Sequence, residues 1–333
     1  MLDLAIVIVN YNVCALLRDC LKSVYASTGV TQGRPFGVEV CVVDNASPDD
    51  SAEMVAREFP QAHLIRNTEN MGYAAANNLG LKYFGFRDQG EVIGDRRSGI
   101  RDQSETPALH PQRGASVRNQ PSEIPRYALL LNPDTVVPPN AFGEMIHLLD
   151  THPAFGVSGP KLVRLDGSLD LACRRGFPTV EVSFWRLTKL SKIFPRSRRF
   201  GRYNMTYLDP DQAAEIDAVV GAFMLVRREA IEQAGLLDEI FWMYGEDLDW
   251  AYRIKQCGWQ VYYYPQVVVT HVKRASSGQD NAGAAKAKYE FDRAMWLFYH
   301  KHYQSTTPGV VDWLVKLGLG LKGGAQLRAD MKR

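Results

Sequence analysis

Continuous apolar runs alternate with amphipathic segments in the first part of the chain. Residues 4–9 and 38–43 are rich in β-branched side chains and have no polar interruption, which is typical of strands buried on both faces. Each run is followed by a segment with helical spacing of its apolar residues, at 14–26 and 51–59. This alternation predicts an α/β fold with a mostly parallel, doubly wound sheet and helices on both faces. Ligands bind such sheets at the carboxyl ends of the strands.

Charge and cysteine content restrict the class of function. The 333 residues include 39 Lys and Arg against 37 Asp and Glu, a formal net charge of +2. A near-neutral chain gives no electrostatic support for binding nucleic acid, which favours strongly basic domains. Five cysteines without a CxxC pair indicate a reducing compartment, and neither a signal peptide nor an apolar run of ~18 residues is evident. We therefore expect a cytoplasmic protein, with peripheral contact to the inner face of the cell membrane left open.

Three segments depart from the rhythm of strands and helices. Residues 85–126 are rich in Arg, Gln, Ser, Gly and Pro and predict a flexible insertion, either a solvent loop or a lid. Residues 182–208 contain no acid and predict either a solvated basic face or a surface for anionic lipid or a lipid-linked diphosphate. The bases of this segment are Arg186, Lys189, Lys192, Arg196, Arg198, Arg199 and Arg202. Residues 276–333 predict a helical extension, whose aromatic helix could mediate a homodimer.

Asp44 closes the second apolar run and precedes a turn. Its carboxylate could accept the imide N–H of a uracil or thymine, and the nearby Tyr11 could stack on the base. Asp is also common at such turns, where it would cap residues 45–47 or the next helix. The sequence leaves both interpretations open.

Gly72 lies where residues 67–80 turn into a predicted helix. The absence of a side chain there, followed by three alanines, would allow a ligand to approach closely, and the helix start presents free amides to an anionic nucleotide. Small residues can equally pack a helix on a sheet.

Residues 129–131 form an apolar strand that delivers Asn132 and Asp134 to its carboxyl end, with Pro133 restricting the turn between them. A hard divalent ion that bridges a diphosphate needs one or two carboxylate oxygens in such a place. A simple Asx turn explains the same residues equally well.

Three carboxylates begin the predicted helix 246–257. The helix dipole favours them, and Asp249 can pair with Arg253 one turn later. Asp247 is then free to point out of the helix start as a general base, with a pKa raised by Glu246. His271 follows an apolar strand and is either a metal ligand or a histidine satisfied at a strand end.

Taken in order, these motifs resemble the family 2 glycosyltransferases, which have the nucleotide-diphospho-sugar transferase (GT-A) fold. The resemblance spans roughly residues 3–275 and is finer with bacterial rhamnosyltransferase-type enzymes. The segments that carry it are 6–12 (IVIVNYN), 43–47 (VDNAS), 70–78 (NMGYAAANN), 131–135 (LNPDT), 220–227 (VGAFMLVR) and 245–249 (GEDLD).

The resemblance implies a GT-A domain over residues 1–275 and a role for each candidate residue. Asp247, beside Glu246, would remove the proton of the acceptor hydroxyl in an inverting single displacement. Asp134, with His271 completing the shell, would hold Mg²⁺ or Mn²⁺ on the donor diphosphate. The donor, a UDP- or dTDP-sugar such as dTDP-rhamnose, would be bound by Tyr11, Asp44, Gly72, Asn77, Asn78 and Asn132. The acceptor would be a glycan or a lipid-linked hydroxyl.

Two other functions share parts of this pattern. A sugar nucleotidyltransferase would carry a Gly-rich, basic phosphate loop after the first strand, where Asn10, Tyr11 and Asn12 stand instead. A non-catalytic nucleotide-sugar-binding scaffold would need no acceptor base, so Glu246 and Asp247 argue against it.

Overall fold

The computed structural model describes residues 2–27, 30–31, 34–88, 124–272 and 281–332. Most of the predicted insertion 85–126 lies outside the described residues. The strands are β1 (Leu2–Asn10), β2 (Val30–Thr31), β3 (Arg34–Pro35), β4 (Gly37–Asp44), β5 (His63–Arg66), β6 (Tyr127–Leu131), β7 (Thr135–Val136), β8 (Phe155–Val163), β9 (Ala214–Ile216), β10 (Phe223–Arg227) and β11 (Gln260–His271). The helices are α1 (Cys14–Ala26), α2 (Ser51–Glu58), α3 (Tyr73–Tyr83), α4 (Ala141–Thr151), α5 (Val180–Leu187), α6 (Leu190–Ile193), α7 (Arg228–Ala234), α8 (Glu246–Gln256), α9 (Asn281–His302) and α10 (Gly309–Asp330).

One mixed sheet organises the described part of the chain, in the order β5-β4-β1-β6-β10-β8-β11-β7, with β9 on β11. The strands β5, β4, β1 and β6 are parallel, as the alternation of apolar runs and helices predicted. Beyond β6, β10 runs antiparallel to both of its neighbours, while β8 and β11 are parallel to each other. Because β4, β1 and β6 are parallel neighbours, Asp44 and the turn at 132–134 reach the same edge of the sheet.

The core lies between this sheet and its helices. Residues 4–8 of β1 have no exposed surface, and α1 presents Leu17, Cys20 and Leu21 to them from one face. Each fully buried aliphatic side chain of this kind stabilises the fold by about 1.5–3 kcal/mol, which is why the apolar runs determine the positions of the strands.

Residues 259–264 and 267–271 read as two strands in the sequence, but β11 is one strand across both. Its pairing with β8 is irregular between Tyr264 and Val268. Pro265 lies in this interval and has no amide hydrogen to give to a sheet. The break that the sequence predicts is therefore a local irregularity.

The C-terminal helices are packed against the sheet domain. Ala294 and Phe298 of α9 belong to the same buried core as the strands. The helix α10 lies on α9 through a smaller cluster around Trp296, Tyr299 and Leu327. None of the helices in the described ranges has the length and apolarity that crossing a membrane requires.

Candidate active site

Asp44 is buried at the end of β4 and is held by its own turn. Its Oδ1 accepts from the Asn10 amide at 3.0 Å and from the Ser47 hydroxyl at 2.6 Å, and its Oδ2 accepts from the Ser47 amide at 3.1 Å. The capping contact that the sequence left open is therefore present. Tyr11, just beyond β1, has 48% of its surface exposed, as a residue available for stacking would. Base recognition by these two residues stays a prediction.

Asn45 connects the end of β4 to the loop before α3. Its Nδ2 donates to the side-chain oxygen of Asn70 and to the carbonyl of Gly72, and its Oδ1 accepts from the Asn67 side chain and the Met71 amide. The residue is 2% exposed, so these contacts exclude water. Asn45 was not among the predicted site residues, although it directly follows Asp44.

The space at Gly72 is filled by protein. The residue has φ 87°, and a Cβ built on it would lie 2.4 Å from the carbonyl oxygen of Trp242. The next residue, Tyr73, donates its amide to that same oxygen at 2.7 Å. Of the two uses that the sequence offered for Gly72, the structure therefore shows packing, here against the loop that precedes α8.

Asn77 and Asn78, predicted to bind the donor, make contacts within the protein. The Asn77 side chain donates to the carbonyl of Tyr73, one turn earlier. The Asn78 amide donates to the Leu237 carbonyl and to Glu239, and its oxygen accepts from the Leu237 amide. Both are almost fully buried, and Asn78 fixes the 237–239 loop. The Asn77 Oδ1 has no hydrogen-bond partner among the described residues, and donor binding by Asn77 and Asn78 stays a prediction.

Tyr73 joins the end of β6 to the loop before β10. Its phenol oxygen is 3.0 Å from both Asn132 Oδ1 and the Gly221 carbonyl oxygen, either of which can accept its single proton. Burial, reinforced by the charges of Glu246 and Asp247, raises the pKa of this phenol well above its ordinary value. Asn132 is thereby linked through this hydroxyl to Gly221, whose amide in turn donates to Asp247.

Asp247 is fixed by a buried ion pair. Its Oδ2 accepts from Arg175 Nη2 at 2.7 Å and from the Gly221 amide at 2.9 Å, and its Oδ1 accepts from the Leu248 amide at 2.7 Å. Both charged side chains are more than nine-tenths buried. Arg175 also donates to the Val219 carbonyl at 2.6 Å, so its direction is determined. The ion pair holds one carboxylate oxygen and leaves Oδ1 with a single short-range contact.

Glu246 contrasts with its neighbour. It is 5% exposed, and its Oε2 has no hydrogen-bond partner among the described residues. Burial, and next the negative charge of Asp247, raise the pKa of Glu246. A carboxyl group with a raised pKa beside a second carboxyl group is an arrangement found in acid and base pairs of enzymes. The raised pKa of Glu246 was not predicted from the sequence.

His271 lies between two carboxylates at the end of β11. Its Nε2 is 3.3 Å from Asp134 Oδ1, and its Nδ1 is 2.9 Å from Asp170 Oδ2. Burial alone would lower the pKa of His271, but hydrogen bonds to Asp134 and Asp170 outweigh it and raise the pKa to about 9. The strand pairing of His271 with Thr135 brings the two predicted ligands together.

The donor set fits a divalent ion shared with a diphosphate. In the described ranges no group of three or more His, Cys, Asp and Glu is arranged to hold a metal by itself. Asp134 and His271 nevertheless converge, and Mg²⁺ is commonly held by one or two carboxylates together with substrate phosphates. Asp170 on Nδ1 is the outer partner that metal-ligating histidines generally have.

Three residues of the site, Arg175, Tyr73 and Asp170, were not predicted from the sequence. Arg175 and Asp170 are 72 and 101 residues from their partners, so no local spacing connects them. Tyr73 lies within the predicted 67–80 motif, but its aromatic ring gave no indication that its hydroxyl would bond to Asn132. The local prediction that Asp249 pairs with Arg253 is confirmed at 2.8 Å.

Known proteins are similar to this chain over most of its length. One similar protein is the N-acetylglucosaminyl-diphospho-decaprenol L-rhamnosyltransferase of Mycobacterium tuberculosis, 24% identical over 313 residues, which are 94% of this chain and 90% of that protein. Another is the low-salt glycan biosynthesis hexosyltransferase Agl10 of Haloferax volcanii, 24% identical over 76% of this chain and 62% of that protein.

Two solved structures share the fold. GalNAc-T7 with UDP, GalNAc and Mn²⁺ superposes with a TM-score of 0.53 at 15% identity, over 92% of this chain and 52% of that one, so the chain spans about half of its length. The mannosyltransferase PcManGT of Pyrobaculum calidifontis, with GDP-Man and Mn²⁺, gives 0.51 at 14% identity, over 99% and 78%. The fold is GT-A, as predicted. The profile described as "Glycosyltransferase like family 2" matches residues 3–288, and the chain belongs to this family of glycosyltransferases.

Proposed function

We propose that this glycosyltransferase moves a sugar from a UDP- or dTDP-sugar to a hydroxyl of a lipid-linked glycan acceptor, with inversion. A dTDP-rhamnose donor and an acceptor with a lipid diphosphate are the leading pair, because a relative covering most of the chain is named as a rhamnosyltransferase of N-acetylglucosaminyl-diphospho-decaprenol. The pyrimidine base of the donor would be bound by Asp44, at the end of β4, and by Tyr11, just after β1.

One observation carries the proposal. The Tyr73 phenol is within hydrogen-bond distance of both Asn132 and Gly221, and the Gly221 amide holds Asp247. The end of β6, which supplies Asp134, is therefore connected to the start of α8 by three consecutive contacts. A group that stabilises a leaving diphosphate and a group that accepts a proton are needed in one site for glycosyl transfer, and a binding scaffold needs only the first.

Asp134 and His271 would hold Mg²⁺ or Mn²⁺, which would supply positive charge to the departing diphosphate. Because residue 132 is Asn and not an acid, Asp134 would be the one carboxylate ligand from the protein. His271 would supply the second protein ligand, and Asp170 fixes the orientation of its ring.

Asp247 Oδ1 accepts the proton of the acceptor hydroxyl. The acceptor oxygen then forms a bond to the anomeric carbon, and the bond from that carbon to the diphosphate oxygen breaks, with its electron pair leaving on the nucleoside diphosphate. Arg175 and the Gly221 amide keep Oδ2 in place during this step. Glu246, whose pKa is raised to about 8, keeps a proton at neutral pH and so presents a hydrogen-bond donor beside Asp247.

Asp247→Asn tests the assignment. Turnover of UDP-, dTDP- and GDP-sugars with Mn²⁺ and a lipid-diphosphate acceptor should fall by about a hundredfold or more, because the general base is lost. Nucleotide affinity should change little, since Asp247 does not face the base or the diphosphate in this proposal. A preference for pyrimidine over GDP donors is expected in the wild-type protein.

Asp211→Asn is the matched control, because Asp211 has an exposed side chain paired with Lys161. Thermal unfolding of both variants separates loss of the base from loss of the fold, since Asp247→Asn also weakens the buried pair with Arg175. Asp247→Asn turnover above one tenth of the wild-type rate, in a folded protein, would show that Asp247 is not the base. A clear preference for GDP-sugars would contradict the role of Asp44.

A further inference from the structure

A row of large apolar side chains lies on the outer face of α10. Its members are between 45% and 75% exposed: Val310, Trp313, Leu314, Leu317 and Leu321. They follow one another at helical spacing and so form one stripe. The other face of α10 is covered, because Val315 and Leu319 pack on the α9 cluster of Trp296 and Tyr299. An exposed stripe of this size marks an interaction surface.

The basic segment 182–208 also exposes large apolar side chains. Phe184, Leu187, Ile193 and Phe194 each have half or more of their surface exposed. All seven bases of the segment are exposed as well: Arg186 lies in α5 and Lys192 in α6, and the other five lie between these helices or after α6. A T-shaped contact between Trp185 and Phe200, at 4.9 Å, packs the two ends of the segment together.

The helix α10 and the basic segment both contact Phe291 of α9. The Arg186 guanidinium lies 5.7 Å and the Lys322 ammonium 5.4 Å from the centre of the Phe291 ring. The first residue of α5, Val180, packs on the same cluster as α10. The helices α5 and α10 therefore flank α9. We call the α10 stripe together with the basic segment the docking surface.

The docking surface also adjoins the acid pair. The Tyr244 ring is 6.0 Å from the Phe291 ring, and Tyr244 is two residues before Glu246. A layer that contacts the docking surface would therefore lie next to the side of the site where an acceptor is deprotonated.

We propose that the docking surface binds an anionic lipid bilayer, with α10 lying in the interface and the bases of the α5–α6 segment on the lipid headgroups. This rests on the proposed function only in that the acceptor is lipid-linked. Trp, Phe and Leu beside exposed Lys and Arg are the composition of helices that lie in a membrane interface. A second copy of the chain is a poorer occupant, because it would bring the same seven bases against each other.

Vesicle co-sedimentation of the full chain tests the proposal. Binding is expected to vesicles of phosphatidylcholine with phosphatidylglycerol and to weaken as salt is added, with less binding to phosphatidylcholine alone. The variant Trp313→Ser with Leu317→Gln should reduce binding about tenfold or more, because each removes a large apolar side chain from the interface. Lys192→Glu with Arg196→Glu should reduce binding to anionic vesicles only.

Leu165→Gln is the matched control, since Leu165 is 67% exposed on the hairpin beyond β8. It should bind as the wild type does. Absence of wild-type binding to anionic vesicles, or equal binding by the α10 variant, would overturn the proposal. A dimer in solution that the α10 variant dissociates, without vesicle binding, would assign the surface to a second copy and overturn it as well.

A transfer assay separates this proposal from the proposed function. The α10 variant should keep its turnover with a water-soluble, short-chain acceptor and lose it with the same acceptor embedded in vesicles. Vesicle binding without transfer to either acceptor would reject the proposed function and leave the docking surface standing. Equal loss with both acceptors would mean that α10 acts on the site itself, against the proposal.

Discussion

The His271 ring has a carboxylate beside each of its two nitrogens. The Asp170 carboxylate on Nδ1 determines which nitrogen faces Asp134. The substitution Asp170→Asn would keep a hydrogen-bond acceptor for the Ala172 amide and remove the charge. We expect Asp170→Asn to weaken Mn²⁺ binding in the presence of UDP by about 10–100-fold. Electron paramagnetic resonance of free Mn²⁺ measures this without turnover. Asp211→Asn should bind as the wild type does, and unchanged affinity in Asp170→Asn would show that His271 needs no outer partner.

Glu246 should impose an alkaline limit on activity. Its pKa is raised by burial and by Asp247, so the proton that it donates is present at neutral pH and is lost as the pH rises through the raised value. In the wild type, kcat/KM should therefore fall on the alkaline side. Glu246→Gln keeps a donor at every pH, so its profile should lack that fall. The exposed Glu232→Gln on α7 serves as the control, and an unchanged alkaline limb in Glu246→Gln would assign it to another group.

A side-chain contact could be predicted from the sequence only where its two partners are close along the chain. Asp249 and Arg253 are four residues apart on one helix, and helical geometry alone predicts their pairing. Asp247 looked free because its partner, Arg175, belongs to a different part of the chain. Asn78 looked available for a ligand for the same reason, since Leu237 lies 159 residues away. Sequence periodicity contains no information about such contacts.

The start of α3 is packed against the loop that contains Trp242, and Gly72 lies at this contact. Gly72→Ala places a side chain at φ 87°, which costs about 1–2 kcal/mol for an L-residue, and adds a collision with the Trp242 carbonyl. Gly167→Ala is a matched control, because Gly167 has φ 78° and a Cβ added to it would meet nothing within 4 Å. Urea unfolding should show a larger loss for Gly72→Ala. Equal losses would mean that the Trp242 loop moves aside without cost.

The elements themselves were predictable where a single pattern covered them. The helices α1 and α2 lie where apolar spacing placed them, and α8 lies within the predicted helix 246–257. Strand β11 was divided in the prediction because Pro265 interrupts its sequence, and only pairing with β8 on both sides joins the halves. The helices α9 and α10 lie within residues 276–333, where the sequence predicts a helical extension, but the sequence does not show that the apolar face of α10 is exposed.

For the chain as a whole, Asp249 connects α8, which begins with the acid pair, to α9. It is fully buried, and it receives Arg253 from α8 at 2.8 Å and Lys301 and His302 from α9, each at 2.7 Å. Burial would raise its pKa, but His302, Arg253 and Lys301 outweigh burial and lower the pKa to about 2.

The stability that this depressed pKa contributes is present above pH ~4 and is lost as the pH falls towards 2. Asp249→Asn should therefore cost on the order of 2–3 kcal/mol in the free energy of unfolding at neutral pH. The difference from the wild type should shrink between pH 5 and pH 3. Urea titrations at both pH values measure it, and a constant difference would mean that packing of the side chain, and not its charge, is responsible.

The same carboxylate shows which part of the chain α8 depends on. The family profile ends at 288, and the sequence motifs end near 275, yet two of the three partners of Asp249 are residues 301 and 302. A chain cut at either boundary would keep the proposed site residues and leave the buried Asp249 with Arg253 alone. We therefore expect a piece that ends before His302 to be less stable than the full chain.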